Sequence, residues 1–247
     1  MTTDVIDLRD FYASPLGNLA QKDIQTLLKK TCPIRTGQVI LGFGYVLPFL
    51  EMFNIKKNTV YSFMPAHQGV LGWPPHQPKL SALVEEDIFP LPDRSIDQLV
   101  GVHALENCHN PKDFLEEAWR ILKPDGSMTL VVPNRRGLWT CIENNPFGYG
   151  HPYTMTQLSK ILRIHSFTPT LFCRGLYTPP STSKILSFIS PALEKAGSFF
   201  LQKFSGLICI QAVKQVYAPS GPYKRLRISM IPEAVRPIEA LSSPTEL

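Results

Sequence analysis

Residues 38–46, Gln-Val-Ile-Leu-Gly-Phe-Gly-Tyr-Val, read as a buried strand running straight into a Gly-x-Gly turn. Residues 47–53 follow at once as a helical run. Glycines let a backbone turn sharply and approach a ligand closely, and a helix start presents free N–H groups. Strand, glycine turn and helix in that order form a cradle suited to a nucleotide-like ligand at the end of a sheet strand. A short glycine pair alone is weak evidence, so the rest of the chain has to carry the assignment.

Downstream, strands and helices alternate. Residues 59–64 are β-branched and aromatic, a second strand stopped by Pro65, and residues 47–55 are just long enough to cross between the two. Residues 81–85 and 95–102 read as strands three and four. Residues 111–122 form a helix with Phe114, Leu115, Ala118, Trp119 and Leu122 on one face. A turn at 124–126 leads into an apolar fifth strand, 127–132, of the type covered on both faces. Thr154 and Gln157 have the spacing of a capping box for a helix over 154–165. Strands six and seven fall at 168–177 and 206–216, with an interrupted helix over 183–204. Near the N-terminus, residues 18–30 read as a helix, 15–17 as a turn and 7–14 as mixed. Residues 68–78, with Trp73 among glycines and prolines, read as an exposed excursion. The alternation predicts an α/β fold: one doubly wound, mostly parallel sheet of seven strands with an antiparallel last strand. The expected boundaries are one domain over 1–217 (1–36 an N-terminal lid, 37–217 the core) and a flexible tail over 218–247.

Composition narrows the function classes. The 247 residues carry a net charge of +5, 44% hydrophobic and 18% charged residues, which are globular values. Basic residues are dispersed, so no nucleic-acid groove is expected. No apolar run spans a bilayer and the start lacks a signal-peptide pattern, so a cytoplasmic location is expected. Cys32, Cys108, Cys141, Cys173 and Cys209 show no Cys-x-x-Cys spacing, so neither disulfides nor a metal site is expected.

Three ordered blocks carry a family resemblance. They are Glu86-Asp87-Ile88-Phe89-Pro90-Leu91-Pro92-Asp93-Arg94-Ser95-Ile96-Asp97, His103-Ala104-Leu105-Glu106-Asn107, and Leu115-Glu116-Glu117-Ala118-Trp119-Arg120-Ile121-Leu122-Lys123-Pro124-Asp125-Gly126. In this order and spacing they resemble the second half of a class I S-adenosylmethionine-dependent methyltransferase, close to a bacterial branch of methyltransferase-domain proteins. With the glycine turn, the resemblance extends over about residues 38–216. It implies a Rossmann-like sheet with S-adenosylmethionine across the carboxyl ends of strands one, two and four, and S-adenosylhomocysteine as product. It also implies that Gly42, Phe43 and Gly44 face the methionine part and that Met64 stands at the ribose. Asp87 would then accept from the adenine amino group, with Ile88 against the ring and His103 beside the sulfonium. His103 and Glu106 are the candidate catalytic pair. Tyr149, His151 and Tyr153 are candidate contacts to a small-molecule acceptor.

The chain departs from the family pattern at three points. Ile40 replaces an acid, Val46 replaces a third glycine, and Met64 stands where an Asp or Glu grips both ribose hydroxyls. Losing such a charge-assisted contact costs about 1.5–3 kcal/mol, roughly ten- to a hundredfold in affinity. Two readings therefore stand: a methyltransferase with a weakened cofactor site, or a catalytically inactive relative that binds or regulates a protein partner. Each candidate also has a plain structural role to set beside its functional one. His103 can simply be hydrogen-bonded, Glu106 solvated, Asp87 a loop cap, and the 146–153 segment an aromatic loop packed on the sheet edge. Neither the methyl acceptor nor the oligomeric state is legible.

Overall fold

The computed structural model describes residues 4–74, 79–141, 145–180, 204–216 and 229–230. They contain eight strands: β1 Val39–Gly44, β2 Thr59–Pro65, β3 Ser81–Val84, β4 Ile96–Val102, β5 Leu122–Pro133, β6 Phe167–Gly175, β7 Leu207–Lys214 and β8 Ser229–Met230. Four α-helices accompany them: α1 Val5–Ala13, α2 Pro15–Thr31, α3 Pro111–Ile121 and α4 Met155–Ile164. The strands form one sheet in the order β3-β2-β1-β4-β5-β7-β6-β8. β3, β2, β1, β4 and β5 pair parallel, while β7 runs antiparallel to both β5 and β6. The chain winds outward in opposite directions from β1 and β4, so a crevice opens between their carboxyl ends.

Each face of the sheet has its own apolar layer. One joins Ile40 and Val100 to Leu8 and Tyr12 of α1 and Ile24 and Leu28 of α2. The other joins Leu41 and Phe43 to Phe114, Leu115 and Ala118 of α3 and Leu158 and Leu162 of α4. Strand side chains alternate between faces, which is why neighbouring residues of β1 belong to different layers.

Several expected elements shift. Residues 15–17, expected as a turn, open α2: Pro15 fits the first helical turn, and Ser14 accepts from the N–H of Gly17 at 3.0 Å. An added Cβ at Gly17 would lie 1.9 Å from Phe11 O, so glycine is what lets α1 and α2 meet there. Residues 7–14, expected as mixed, lie mostly in α1, which is capped by Asp4 and buries Val5, Leu8 and Tyr12. Packing rather than local propensity makes so short a helix. The crossing from β1 to β2 is a tight 3-10 helix, Leu47–Phe53, with Pro48 in its first turn. The expected turn at 124–126 is absorbed into β5. Ile96 pairs with Leu122 and Gln98 with Ser127, so residues 123–126 bulge out of the ladder. The capping box of α4 is present, with Thr154 and Gln157 bonded reciprocally.

The excursion after β2 is only partly exposed: Gln68 and Trp73 are buried, Val70 and Gly72 are exposed, and residues 75–78 lie outside the described residues. The interrupted helix expected over 183–204 lies outside the described residues apart from Phe204. Of the expected tail, Ser229–Met230 pair in parallel with Leu171 and Phe172 of β6.

Candidate functional site

The glycine turn ends against β4. Gly44 has φ +80°, and an added Cβ would lie 2.5 Å from Val102 O and 2.9 Å from His103 O. Only glycine lets β1 pass so close to the end of β4. At Gly42 an added Cβ would lie 2.4 Å from Val46 Cγ2 and 3.0 Å from Leu50 Cδ2, so side chains cover that glycine. Phe43 points into the opposite layer, fully buried, its ring stacked 4.8 Å from Phe114 and tilted 5.1 Å from Phe89. Its side chain is core, and only its backbone remains at the turn.

Beyond the turn, His103 closes β4 with φ +51°, a conformation uncommon for a non-glycine residue and held by its surroundings. Its carbonyl accepts from Gln68 Nε2 at 3.0 Å and Asn107 Nδ2 at 3.1 Å. Its ring Nε2 lies 2.8 Å from the hydroxyl of Tyr12, and its Nδ1 lies 3.4 Å from Glu106 Oε1. The second separation suits an ion pair but misses hydrogen-bond alignment. His103 Nδ1, Glu106 Oε2 and Asn107 Oδ1 are thus buried without a protein hydrogen-bond partner. Glu106 is 1% exposed, so it is not the solvated carboxylate that its loop position suggested.

Helix α1 covers this group. Tyr12 stacks on Tyr45 with centroids 5.4 Å apart and meets Phe49 edge-on, while Phe147 lies 4.9 Å from His103. The Val5 N–H donates to Gln68 O at 2.8 Å, anchoring the start of α1. Burial first, then Tyr45 and Glu106, hold the Tyr12 phenol well above its ordinary range, and burial pushes Tyr45 up to about 12. Tyr12 is thus a neutral hydrogen-bonding group.

The segment after β5 folds back onto this centre. His151 N–H donates to Glu106 O at 2.7 Å, and Tyr153 exchanges backbone bonds with Pro133 and Arg135 at 3.0 Å each. An added Cβ at Gly150 would lie 2.5 Å from Glu106 O, so the loop needs glycine to lie this close. His151 and Tyr153 line an open pocket of about 400 Å³ with Arg135, Lys160, Ile161 and Ile164. Tyr149 sits half-buried just before it. Burial raises the Tyr153 phenol to about 12.

Other sequence candidates lie apart or change character. Met64 is buried at the end of β2, its sulfur accepting from Leu71 N–H at 3.4 Å. Asp87 is exposed and Ile88 is 68% exposed, both in the turn after β3. No metal site was expected from the cysteine spacing; His67, Glu86 and His109, from three separate loops, bring side-chain atoms able to ligate a metal within 4.8 Å of one another. Cysteine spacing could not reveal this grouping, because it is made of histidines and a glutamate far apart in sequence.

Residues 89–97 and 117–123, from the first and third of the blocks that carry the resemblance, form a structural clamp. Arg120 reaches Asp93 at 2.6 Å, Leu91 O at 2.9 Å and Phe89 O at 3.0 Å, and it pairs with Glu117. Lys123 holds Asp97 at 2.8 Å, and Asp97 accepts from Val39 N–H at 2.8 Å. These contacts fix the loop before β4 and the start of β1.

S-adenosylmethionine fits one half of this site. The β4 end has the tight glycine turn and the orphaned polar atoms of His103, Glu106 and Asn107 to meet a charged, polar group. At the β2 end, among the described residues, the buried apolar Met64 stands where the resemblance implies a carboxylate.

Residues 66–130 match the family model of the methyltransferase domain. No curated protein matches the chain in sequence. Among solved structures it is similar to a Thermotoga maritima S-adenosylmethionine-dependent methyltransferase described as a possible histamine N-methyltransferase. The identity is 15%, with 85% of this chain and 96% of that one covered at a TM-score of 0.59. A chain from the complex of the Haloferax volcanii Trm112 methyltransferase activator with the putative methyltransferase matches at 13% identity, 87% and 100% coverage and TM-score 0.59. A methyltransferase from Archaeoglobus fulgidus matches at 16% identity, 78% and 94% coverage and TM-score 0.55. By strand order, by the matched segment and by these neighbours, the chain has the fold of the class I S-adenosylmethionine-dependent methyltransferases.

Proposed function

We propose that this chain is an S-adenosylmethionine-dependent methyltransferase acting on a small molecule, with α1 as the lid of its cofactor site. The observation that carries this reading is the group of orphaned buried atoms, His103 Nδ1, Glu106 Oε2 and Asn107 Oδ1, beneath α1 and beside the Gly44 turn. Each buried polar group without a partner costs about 1–3 kcal/mol, so such a cluster is characteristic of a site that a polar ligand completes.

The bound cofactor would supply an already activated methyl group, so the protein's part is alignment and proton removal. The turn at Gly44 would lie against its methionine part. Tyr12 occupies the hydrogen-bonding position at His103 Nε2 that an acceptor's O–H or N–H would take once α1 lifts. His103 would then accept the acceptor's proton, with Glu106 orienting the ring and stabilising its charged form. Arg135 and Lys160 give the neighbouring pocket a cationic rim on an apolar floor, which suits an acceptor carrying an anionic group.

Calorimetric titration of the full chain with S-adenosylmethionine and S-adenosylhomocysteine tests this. Heat that strengthens in Tyr12→Ala is expected; no heat at millimolar ligand in either protein overturns it. Met64 favours a second reading, an inactive relative serving a protein partner, since its side chain offers no carboxylate to ribose hydroxyls. A stoichiometric partner on purification together with a silent titration is its signature.

A further inference from the structure

His67, Glu86 and His109 lie outside the centre described above. His67 sits in the turn after β2, closed by Gln68 N–H on Pro65 O at 2.9 Å. Glu86 follows β3, and His109 immediately precedes the cap of α3. His67 Nδ1 is 3.2 Å and His109 Nδ1 3.7 Å from Glu86 Oε1, and the two imidazoles meet edge-on with centroids 4.5 Å apart. Glu86 is oriented by the His109 backbone N–H, which donates to its Oε2 at 2.9 Å. Glu86 Oε1 and His67 Nε2 are buried with no protein hydrogen-bond partner.

A trio of this composition has a poor account as a hydrogen-bonded group. Two rings and one carboxylate converge, yet the shared oxygen has no aligned donor. A divalent ion resolves the mismatch. Donors bound at 2.0–2.2 Å on a tetrahedral ion stand roughly 3.3–3.5 Å apart, close to the two separations seen here. Two histidines with one carboxylate are a common set for zinc and other first-row ions, leaving positions for water. The side chain of His109 is 68% exposed, so solvent and an incoming ion reach the site from that side.

We infer that His67, Glu86 and His109 form a site for a divalent first-row transition ion such as zinc, tying together the loops after β2, β3 and β4. The site is independent of the methyltransferase reading, because it uses none of the residues around His103 and its test needs no cofactor.

The test is calorimetric titration of chelator-treated full chain with Zn²⁺, and with Co²⁺ read by visible absorption. One equivalent per chain is expected, with a cobalt band characteristic of nitrogen and oxygen ligation. His109→Ala, at an exposed position, should keep the fold and weaken binding by roughly a hundredfold or more, on the scale of losing a metal-orienting contact. Glu86→Gln should do the same, whereas His165→Ala should bind like the parent. No binding, binding undiminished in His109→Ala, or equal loss in His165→Ala would each overturn the site.

Discussion

Tyr12→Phe removes a single oxygen from the centre of the candidate site and leaves the ring stacks on Tyr45 and Phe49 in place. Tyr12 is 4% exposed and His103 1%, so water does not replace the lost bond at His103 Nε2. A neutral hydrogen bond contributes about 0.5–1.5 kcal/mol, and a buried nitrogen left unpaired costs about 1–3 kcal/mol. The ring's other nitrogen already lacks an aligned partner, so Tyr12→Phe should lie near the upper part of that range, about 1–3 kcal/mol. For a chain of this size that is a fall in Tm of roughly 2–12 °C. Urea unfolding followed by circular dichroism measures it. A double-mutant cycle with His103→Leu should return a coupling of about 1 kcal/mol, since the hydroxyl has nothing left to pair with once the imidazole is gone. If Tyr12→Phe matches the parent within about 0.3 kcal/mol, or the two changes simply add, the contact does not hold α1 over the site.

Arg120→Met should cost about 1.5–3 kcal/mol, because it frees the 89–93 loop and strands the buried Glu117; unchanged denaturant midpoints would refute the clamp. Gly44→Ala combines a φ of +80° with backbone oxygens 2.5 and 2.9 Å from the new carbon, so a loss of about 3 kcal/mol or more, or failure to fold, is expected in thermal melts. Native thiol alkylation at neutral pH should label Cys141 alone among the described cysteines, since Cys32, Cys108, Cys173 and Cys209 are buried; rapid uptake of a second label by any of these four contradicts that packing. Burial raises Cys32 from 9.0 to about 11, so the folded state holds this proton longer than the unfolded one. Its contribution is full below pH 9 and fades as pH rises towards 11. Stability should decline over that window, and a flat profile would show the thiol to be less buried than described.

How much was legible depends on whether the signal was local. Alternating strands and amphipathic helices, the capping box at Thr154 and Gln157, and the ordered blocks from Glu86 to Gly126 all express themselves within a few residues of each other. Those features led to the sheet. Residues 7–14 and 15–17 misled because α1 exists only by packing against α2 and the 3-10 turn. Trp73 misled because a proline-rich stretch reads as surface until β2 and β3 close over it. Nothing local signalled that Gln68 and Asn107 would both bond to the carbonyl of His103.

The glycine turn shows the same division. Gln-Val-Ile-Leu-Gly-Phe-Gly already required a strand, a sharp turn and a close approach to something, since backbone geometry is local. What it approaches was decided by the fold: β4 at Gly44, Val46 and Leu50 over Gly42, and the α3 layer at Phe43. The meeting of Tyr12 with His103 and that of His67 with Glu86 and His109 were decided there as well. Those residues stand far apart in sequence, and only the parallel pairing of β1 with β4 and the closing of loops beside it bring their side chains together.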